Sequence, residues 1–337
     1  METELLLKTQ DDDPLDVLHY LVIGGETMTY SRDTITRIKD YLGTDAKFKY
    51  TSSVDVIRFS KTAEYVEYLI KDIGLTSCII RLREDPLVLS QEYQLMEELS
   101  KEELSPEPFY VETDLNPLGY PFFLMNYEEI QAFERSELVK FSSSLGKLHA
   151  LDASPYAYLP KRVDIRRDYL ERAEKIKDEL LKKQALDHDQ YDFFEDFILW
   201  MKDRRVEPRA LSLTNGSLQP EHMKRAKLYY FWNWSKAMLQ EPMVEVCEFL
   251  SPINQVIQGE RIYAESELED FFLLYSRDYQ GDLSEEYREF MPWLILHQWS
   301  ELMHLRYALE ELTSALEQTL DYLTDLHYIS RELSVYL

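Results

Sequence analysis

The chain is 337 residues long and carries 63 Asp and Glu against 37 Lys and Arg, a formal net charge of −26. Binding nucleic acid or anionic lipid needs clustered Lys and Arg to displace counterions, so so acidic a chain is expected to bind neither. A hydrophobic content of 45% with nine Gly excludes a disordered or low-complexity chain, and the length suits two packed units better than one.

Two cysteines, Cys78 and Cys247, cannot build a disulfide framework or a Cys-rich metal site. Both lie in apolar stretches and read as reduced core residues. Leu5–Leu7 is too short for the apolar part of a signal peptide, and no apolar run approaches the ~20 residues of a membrane span. A soluble, cytoplasmic protein is the expectation.

In chain order, residues 1–13 read as an acidic tail. Val17–Ile23 is a short apolar stretch and Asp33–Leu42 a helix. Three strand-like runs follow at Val54–Ser60, Tyr65–Lys71 and Ser77–Arg83. In the third, Cys78, Ile80 and Leu82 share one face and Ile79, Arg81 and Arg83 the other. Leu87–Ser100 reads as a helix with Leu95, Met96 and Leu99 on its apolar face, stopped before Pro106 and Pro108. A strand pair, Phe109–Glu112 and Pro121–Tyr127, turns at 116–119 (Asn-Pro-Leu-Gly). Beyond residue 130 the pattern is helical, except for a strand, loop and strand at Ala210–Leu213, 215–217 and Lys227–Trp232. Sheet followed by helices predicts an α+β protein, with an N-lobe over 14–127 and a mostly helical C-lobe over 128–337.

Six segments in this order resemble the aminoglycoside phosphotransferase/choline kinase family. QEYQLMEEL (91–99) is similar to the N-lobe helix that carries a Glu. LGYPFFLMNY (118–127) resembles the strand into the interlobe hinge, and SLGKLHALD (144–152) the helix after it. LTNGSLQPEH (213–222) lies where the family has its catalytic loop, H-G-D-x-x-x-x-N. YFWNWSKA (230–237) lies where a hydrophobic strand ends in Asp-Trp, and EPMVEVCEFL (241–250) resembles D-P-x-x-D-L-A-x-F-L. The resemblance spans about residues 54–250 and implies a two-lobe, protein-kinase-like fold that transfers phosphate from Mg·ATP to a hydroxyl.

That chemistry needs a carboxylate to orient the acceptor hydroxyl, hard oxygen ligands for Mg²⁺, a basic residue paired with Glu on the phosphates, and a Gly-rich turn. At the base position the chain carries Ser217, and Asn215 replaces the leading His. The two metal-ligand positions carry His222 and Asn233; imidazole is a poor Mg²⁺ ligand, and the amide brings no charge. The turn Ser60–Glu64 lacks Gly and adds a carboxylate, Glu64. The architectural residues are kept: Arg81 with Glu92, the hinge at Met125, Asn126 and Tyr127, Gly216, Trp234 and Pro242. Arg81–Glu92 reads either as a vestigial phosphate contact or as an ion pair bridging sheet and helix.

The expectation is therefore a pseudokinase that needs no cofactor and acts by binding a protein partner, or a small molecule in the vestigial cleft. The alternatives are a divergent phosphotransferase that still uses ATP and Mg²⁺, with Glu221 or Glu248 as substitute carboxylates, and a structural interaction module.

Three further patterns stand apart. His297, Glu301 and His304 share a helix face at metal-ligand spacing, which also suits ordinary packed or solvated side chains. Leu305, Leu309, Leu312, Leu316, Leu323, Leu326 and Leu333 give a terminal helix, about Leu302–Val335, a heptad rhythm. That rhythm suits a coiled-coil seam to a partner or packing within the chain. Trp232 and Trp234, at alternate positions of a short strand, suit core packing or stacking on a ligand.

Overall fold

The computed structural model describes residues 32–44, 54–62, 64–71, 77–114, 116–127, 131–204, 209–216, 218, 223–225, 229–279, 283–308 and 314–336. The acidic tail and Val17–Ile23 lie outside these. Helix α1 (Arg32–Thr44) leads into strands β1 (Asp55–Lys61), β2 (Val66–Lys71) and β3 (Cys78–Leu82), then helix α2 (Pro86–Lys101) and strands β4 (Pro108–Glu112) and β5 (Phe122–Asn126). The five strands form one antiparallel sheet in the order β1-β2-β3-β5-β4.

The alternation in β3 decides what each face of the sheet covers. Cys78, Ile80 and Leu82 pack with Ile38 and Leu42 of α1, while Ile79 joins Met125 and Leu95 of α2 in the main core. With both faces covered, all five β3 residues are buried. Helix α2 starts sharply because Asp85 accepts hydrogen bonds from Leu87 N at 2.8 Å and Val88 N at 3.2 Å, with Pro86 at its first position.

The helical part comprises α3 (Leu138–His149), α4 (Ile165–Lys182), α5 (His188–Asp203), α6 (Pro242–Leu250), α7 (Pro252–Ile257), α8 (Glu265–Tyr275) and α9 (Leu283–Ala308), then α10 (Ser314–Thr324) and α11 (Leu326–Ser334). Between α3 and α8 a Cβ on Gly146 would lie 2.4 Å from the Tyr275 carbonyl oxygen, so only Gly permits that approach. Short strands interrupt the helices. β7 (Ser212–Thr214) pairs with β10 (Met238–Gln240), and β8 (Met223–Arg225) lies between β6 (Gln131–Ala132) and β9 (Tyr229–Phe231).

Two expectations are corrected. The strand expected over Lys227–Trp232 ends at Phe231, so Trp232 and Trp234 lie in the following loop and point to different partners rather than sharing a face. The single terminal helix is instead the end of α9, α10 and α11. Asp325 caps α11 by accepting from His327 N and Tyr328 N, which stops the preceding helix at Thr324. The heptad leucines that can be followed pack within the chain: Leu323 and Leu333 are buried, and Leu305 and Leu326 pack on the same core. Leu309 and Leu312 lie outside the described residues. Among the described residues no helix is long and apolar enough to cross a membrane.

Candidate functional site

The site is built where β2, β3 and α2 face the loop after β9. Glu67 stands directly opposite Arg81 in the β2–β3 ladder, so both side chains leave the sheet on the same face. Arg81 Nε donates to Glu67 Oε1 at 2.8 Å and Nη2 to the same oxygen at 2.6 Å. Its Nη1 donates to Glu92 on α2. Nη2 also donates to the Trp232 carbonyl oxygen at 2.9 Å, and the Tyr65 ring centroid lies 4.3 Å from the guanidinium carbon. All three side chains, Arg81, Glu67 and Glu92, are buried. Burial alone would lower the guanidinium pKa, but Glu92 and Glu67 outweigh it and raise it.

Both carboxylates also hold the loop that carries Asn233. Trp232 Nε1 donates to Glu67 at 3.0 Å from each oxygen, and Trp234 N donates to Glu92 Oε1 at 3.0 Å. Between Arg58 and Ser60 the β1–β2 ladder slips by one residue. The extra residue is Phe59, whose ring centroid is 6.1 Å from Trp232 and 6.0 Å from Tyr127. The indole, Phe59 and the hinge Tyr127 thus form one aromatic group between β1 and the hinge. In the hinge itself Met125 is buried, Asn126 Nδ2 donates to Glu107 at 2.9 Å, and Tyr127 N donates to Ser77 O at 3.2 Å. Beside the hinge a cavity of about 380 Å³ is lined by Lys101, Ser105, Glu107, Asn126, Tyr230 and Trp232, among others.

The β1–β2 turn is closed by its own polar chemistry in place of Gly. Thr62 Oγ1 accepts from Glu64 N at 3.1 Å and Tyr65 N at 3.2 Å. Glu64 then reaches the loop after β9: Ser235 Oγ donates to it at 2.6 Å, Lys236 Nζ lies 3.2 Å away, and Arg83 Nη2 lies 3.1 Å away. Burial works to raise the Glu64 pKa, but Ser235, Lys236 and Arg83 together bring it down to about 2.

The start of the loop that resembles the catalytic loop is held by side-chain bonds at Asn215 and Gly216. The buried Asn215 donates through Nδ2 to the Asn233 carbonyl oxygen. Gly216 has φ +76°, and its N donates to Glu245 Oε1 at 2.7 Å. Glu245 Oε2 lies 2.9 Å from His149 Nε2, and His149 Nδ1 meets the Tyr275 hydroxyl. The Asn233 side-chain oxygen accepts from Ser235 N at 3.2 Å. Ser217, Glu221 and His222 lie outside the described residues.

The structure thus brings Arg81, Glu92, Asn215 and Asn233 together. The substitute carboxylate Glu248 goes elsewhere. Three residues after Glu245 on α6, it accepts from the Tyr169 hydroxyl at 3.1 Å, whereas Glu245 meets the loop at Gly216. The helix-face trio is divided among separate partners. His297 stacks on Tyr169 with ring centroids 4.0 Å apart, Glu301 receives Arg172 at 2.5 and 2.9 Å, and His304 lies 3.3 Å from Glu179. Among the described residues no group of three or more side chains could hold a metal ion.

Sequence reasoning missed Glu67, Ser235 and Lys236. For Glu67 the signal was present: a lone carboxylate in the middle of an apolar strand needs a buried partner. Arg81, Arg83 and Lys236 face Glu64, Glu67 and Glu92, three cations against three carboxylates. Among the described residues of this cluster a polyanion meets no excess of positive charge. Among the described residues three features depart from what Mg·ATP needs: Asn233 brings no charge, Arg81 carries a second carboxylate in Glu67, and Glu64 occupies the turn.

No protein-family model and no curated protein matches the chain in sequence. Solved structures do match it in shape. A candidate aminoglycoside phosphotransferase from Ralstonia eutropha superposes with a TM-score of 0.61 at 10% identity, over 89% of this chain and 98% of that one. A macrolide 2′-phosphotransferase from Brachybacterium faecium gives 0.59 at 13% identity, over 87% and 98%. A choline/ethanolamine kinase family protein from Mesorhizobium loti gives 0.54 at 11% identity, over 90% and 99%. The chain has the two-lobe, kinase-like α+β fold of these phosphotransferases.

Proposed function

We propose that the protein is a catalytically silent member of this fold that acts by binding rather than by phosphoryl transfer. The observation that carries this reading is the state of Arg81. A phosphotransferase of this plan pairs that cation with the helix Glu and turns it to the nucleotide; to the expected Glu92 this chain adds Glu67 and the Trp232 carbonyl, which take up donors a phosphate would use. Phosphoryl transfer rests on positioning and charge neutralisation, and the groups that would supply them here are uncharged, as in Asn215, Ser217 and Asn233, or already paired. The partner we favour is a protein with a basic surface, docking on the acidic exterior rather than in the cleft, because a net charge of −26 favours and steers such an encounter.

The test is direct. The purified chain is incubated with radiolabelled ATP, Mg²⁺ or Mn²⁺, and an aminoglycoside, a macrolide or choline. No labelled product above a heat-treated control is expected. Labelled product from any acceptor would defeat the reading and restore a divergent phosphotransferase.

A further inference from the structure

We infer that Glu67 and Trp232 act as an internal ligand that holds the cleft closed: the carboxylate takes the place of a phosphate on Arg81, and the indole that of a base. The inference rests on the non-catalytic reading above and assigns the occupant of the same cleft.

Three sets of contacts carry it. The first is chemical likeness. A carboxylate on a guanidinium has the charge-assisted geometry that a phosphate oxygen would have, and Glu67 meets Arg81 at 2.6 and 2.8 Å. The second is position. The Trp232 indole lies 6.1 Å from the ring of Phe59, the extra residue of β1, which in turn meets the hinge Tyr127, and its Nε1 is 3.0 Å from both Glu67 oxygens. One continuous unit, indole to carboxylate to guanidinium, therefore spans the cleft from the hinge side to α2. The third is closure. Glu64 ties the β1–β2 turn to Ser235 and Lys236 of the facing loop. A nucleotide normally draws such a turn down over its phosphates, whereas here the turn is drawn down by the chain itself. Glu67 is buried and hydrogen-bonded on both oxygens. An exogenous polyanion must therefore displace a satisfied carboxylate before it gains anything.

The experiment compares wild type with Glu67→Ala in thermal unfolding, with ADP or inorganic pyrophosphate as probes and no metal added. Wild type is expected to show no shift with either. Glu67→Ala, which leaves Arg81 with Glu92 as the one carboxylate of its buried pair, is expected to melt lower. Saturating pyrophosphate or ADP should then raise its Tm by about 3–6 °C. Equal shifts in wild type and variant would overturn the inference, as would a folded Glu67→Ala that gains nothing from either probe. Should Glu67→Ala fail to fold, Glu64→Gln decides. Amides 64–66 of wild type are expected to exchange slowly and not to respond to ADP. In the variant they should exchange at least about tenfold faster without global unfolding. Exchange that is unchanged in Glu64→Gln, or slowed in wild type by ADP, counts against the inference. Nucleotide binding by wild type without phosphate transfer defeats this inference alone, whereas transfer defeats the non-catalytic reading itself.

Discussion

The Glu67 carboxylate and the Arg81 guanidinium face each other across the β2–β3 ladder, 2.6 Å apart at Nη2, with neither side chain exposed. Glu92 meets the same guanidinium from α2. A buried ion cluster adds little net stability against a well-packed apolar one, but breaking it leaves unpaired charge in a low dielectric. Arg81→Met strands two carboxylates at once and should cost about 3–5 kcal/mol in urea unfolding. Arg81→Lys cannot reach Glu67, Glu92 and the Trp232 carbonyl together and should recover less than half of that loss. A fully stable Arg81→Met would show that the cluster is not a structural centre.

How far the cluster was legible in sequence depends on the range of each contact. Arg81 and Glu92 belong to segments with a recognisable order, a strand followed by a helix, and their meeting follows from the fold. Glu67 sits in the same hairpin, and its one signal was a lone carboxylate inside the apolar run Tyr65–Lys71; a strand of six residues does not say which partner buries it. The Trp232 bond to Glu67 spans 165 residues of chain and has no local signature. The terminal helices failed for a different reason. A leucine rhythm persists across a break, and the break was marked only by a cap, Thr324-Asp325, which the heptad pattern does not see.

Gly216 is kept for packing reasons that hold without any phosphate. Its φ is +76°, and an added Cβ would sit 1.9 Å from the Lys236 carbonyl oxygen, a backbone atom that cannot swing aside. Gly216→Ala is therefore expected to destabilise the chain by at least about 2 kcal/mol through left-handed strain and overlap together. Calorimetry of the purified variant checks it. A neutral result would mean that the loop after β7 and the loop after β9 can separate freely.

Two helix ends run the opposite way. Glu103 and Gln184 have φ of 61° and 53°, although neither is Gly. Each follows a helix whose end closes by a six-to-one bond, Leu104 N to Leu99 O and Ala185 N to Leu180 O, both 3.0 Å. Gly is relaxed at such a position and other residues are strained there. Gln184→Gly and Glu103→Gly should each stabilise by about 0.5–1 kcal/mol, read as a raised urea midpoint at unchanged slope. Destabilisation by both would show that the side chains make contacts worth more than the strain.

The pH dependence turns on two groups that share Tyr169. Burial pushes the Glu248 pKa up from 4.5 to about 7; Glu245 adds to the rise, while Arg162 and the Tyr169 hydroxyl oppose it. Burial pushes His297 down from 6.5 to about 4, aided by Arg162 and Arg172 and opposed by Glu301. Between about pH 4.5 and 7 the folded chain keeps the Glu248 proton that the unfolded chain releases. This group's contribution therefore falls as pH rises through that window and is level above it. Between about pH 6.5 and 4 the unfolded chain takes up a His297 proton that the folded chain refuses. That contribution is complete above pH 6.5 and is lost as pH falls. The two oppose each other from about pH 4.5 to 6.5. Glu248→Gln keeps an acceptor for the Tyr169 hydroxyl and removes the penalty. It should gain about 1–2 kcal/mol at pH 8, discounted because part of the side chain stays exposed, and little at pH 4.5. The stability of this variant should then climb from pH 4.5 to 6.5 on the His297 contribution alone. His297→Gln should show the mirror image, a steady decline from pH 4.5 to 7. Urea midpoints across this range measure both, and a Glu248→Gln gain equal at pH 4.5 and pH 8 would place the effect in packing rather than in the proton.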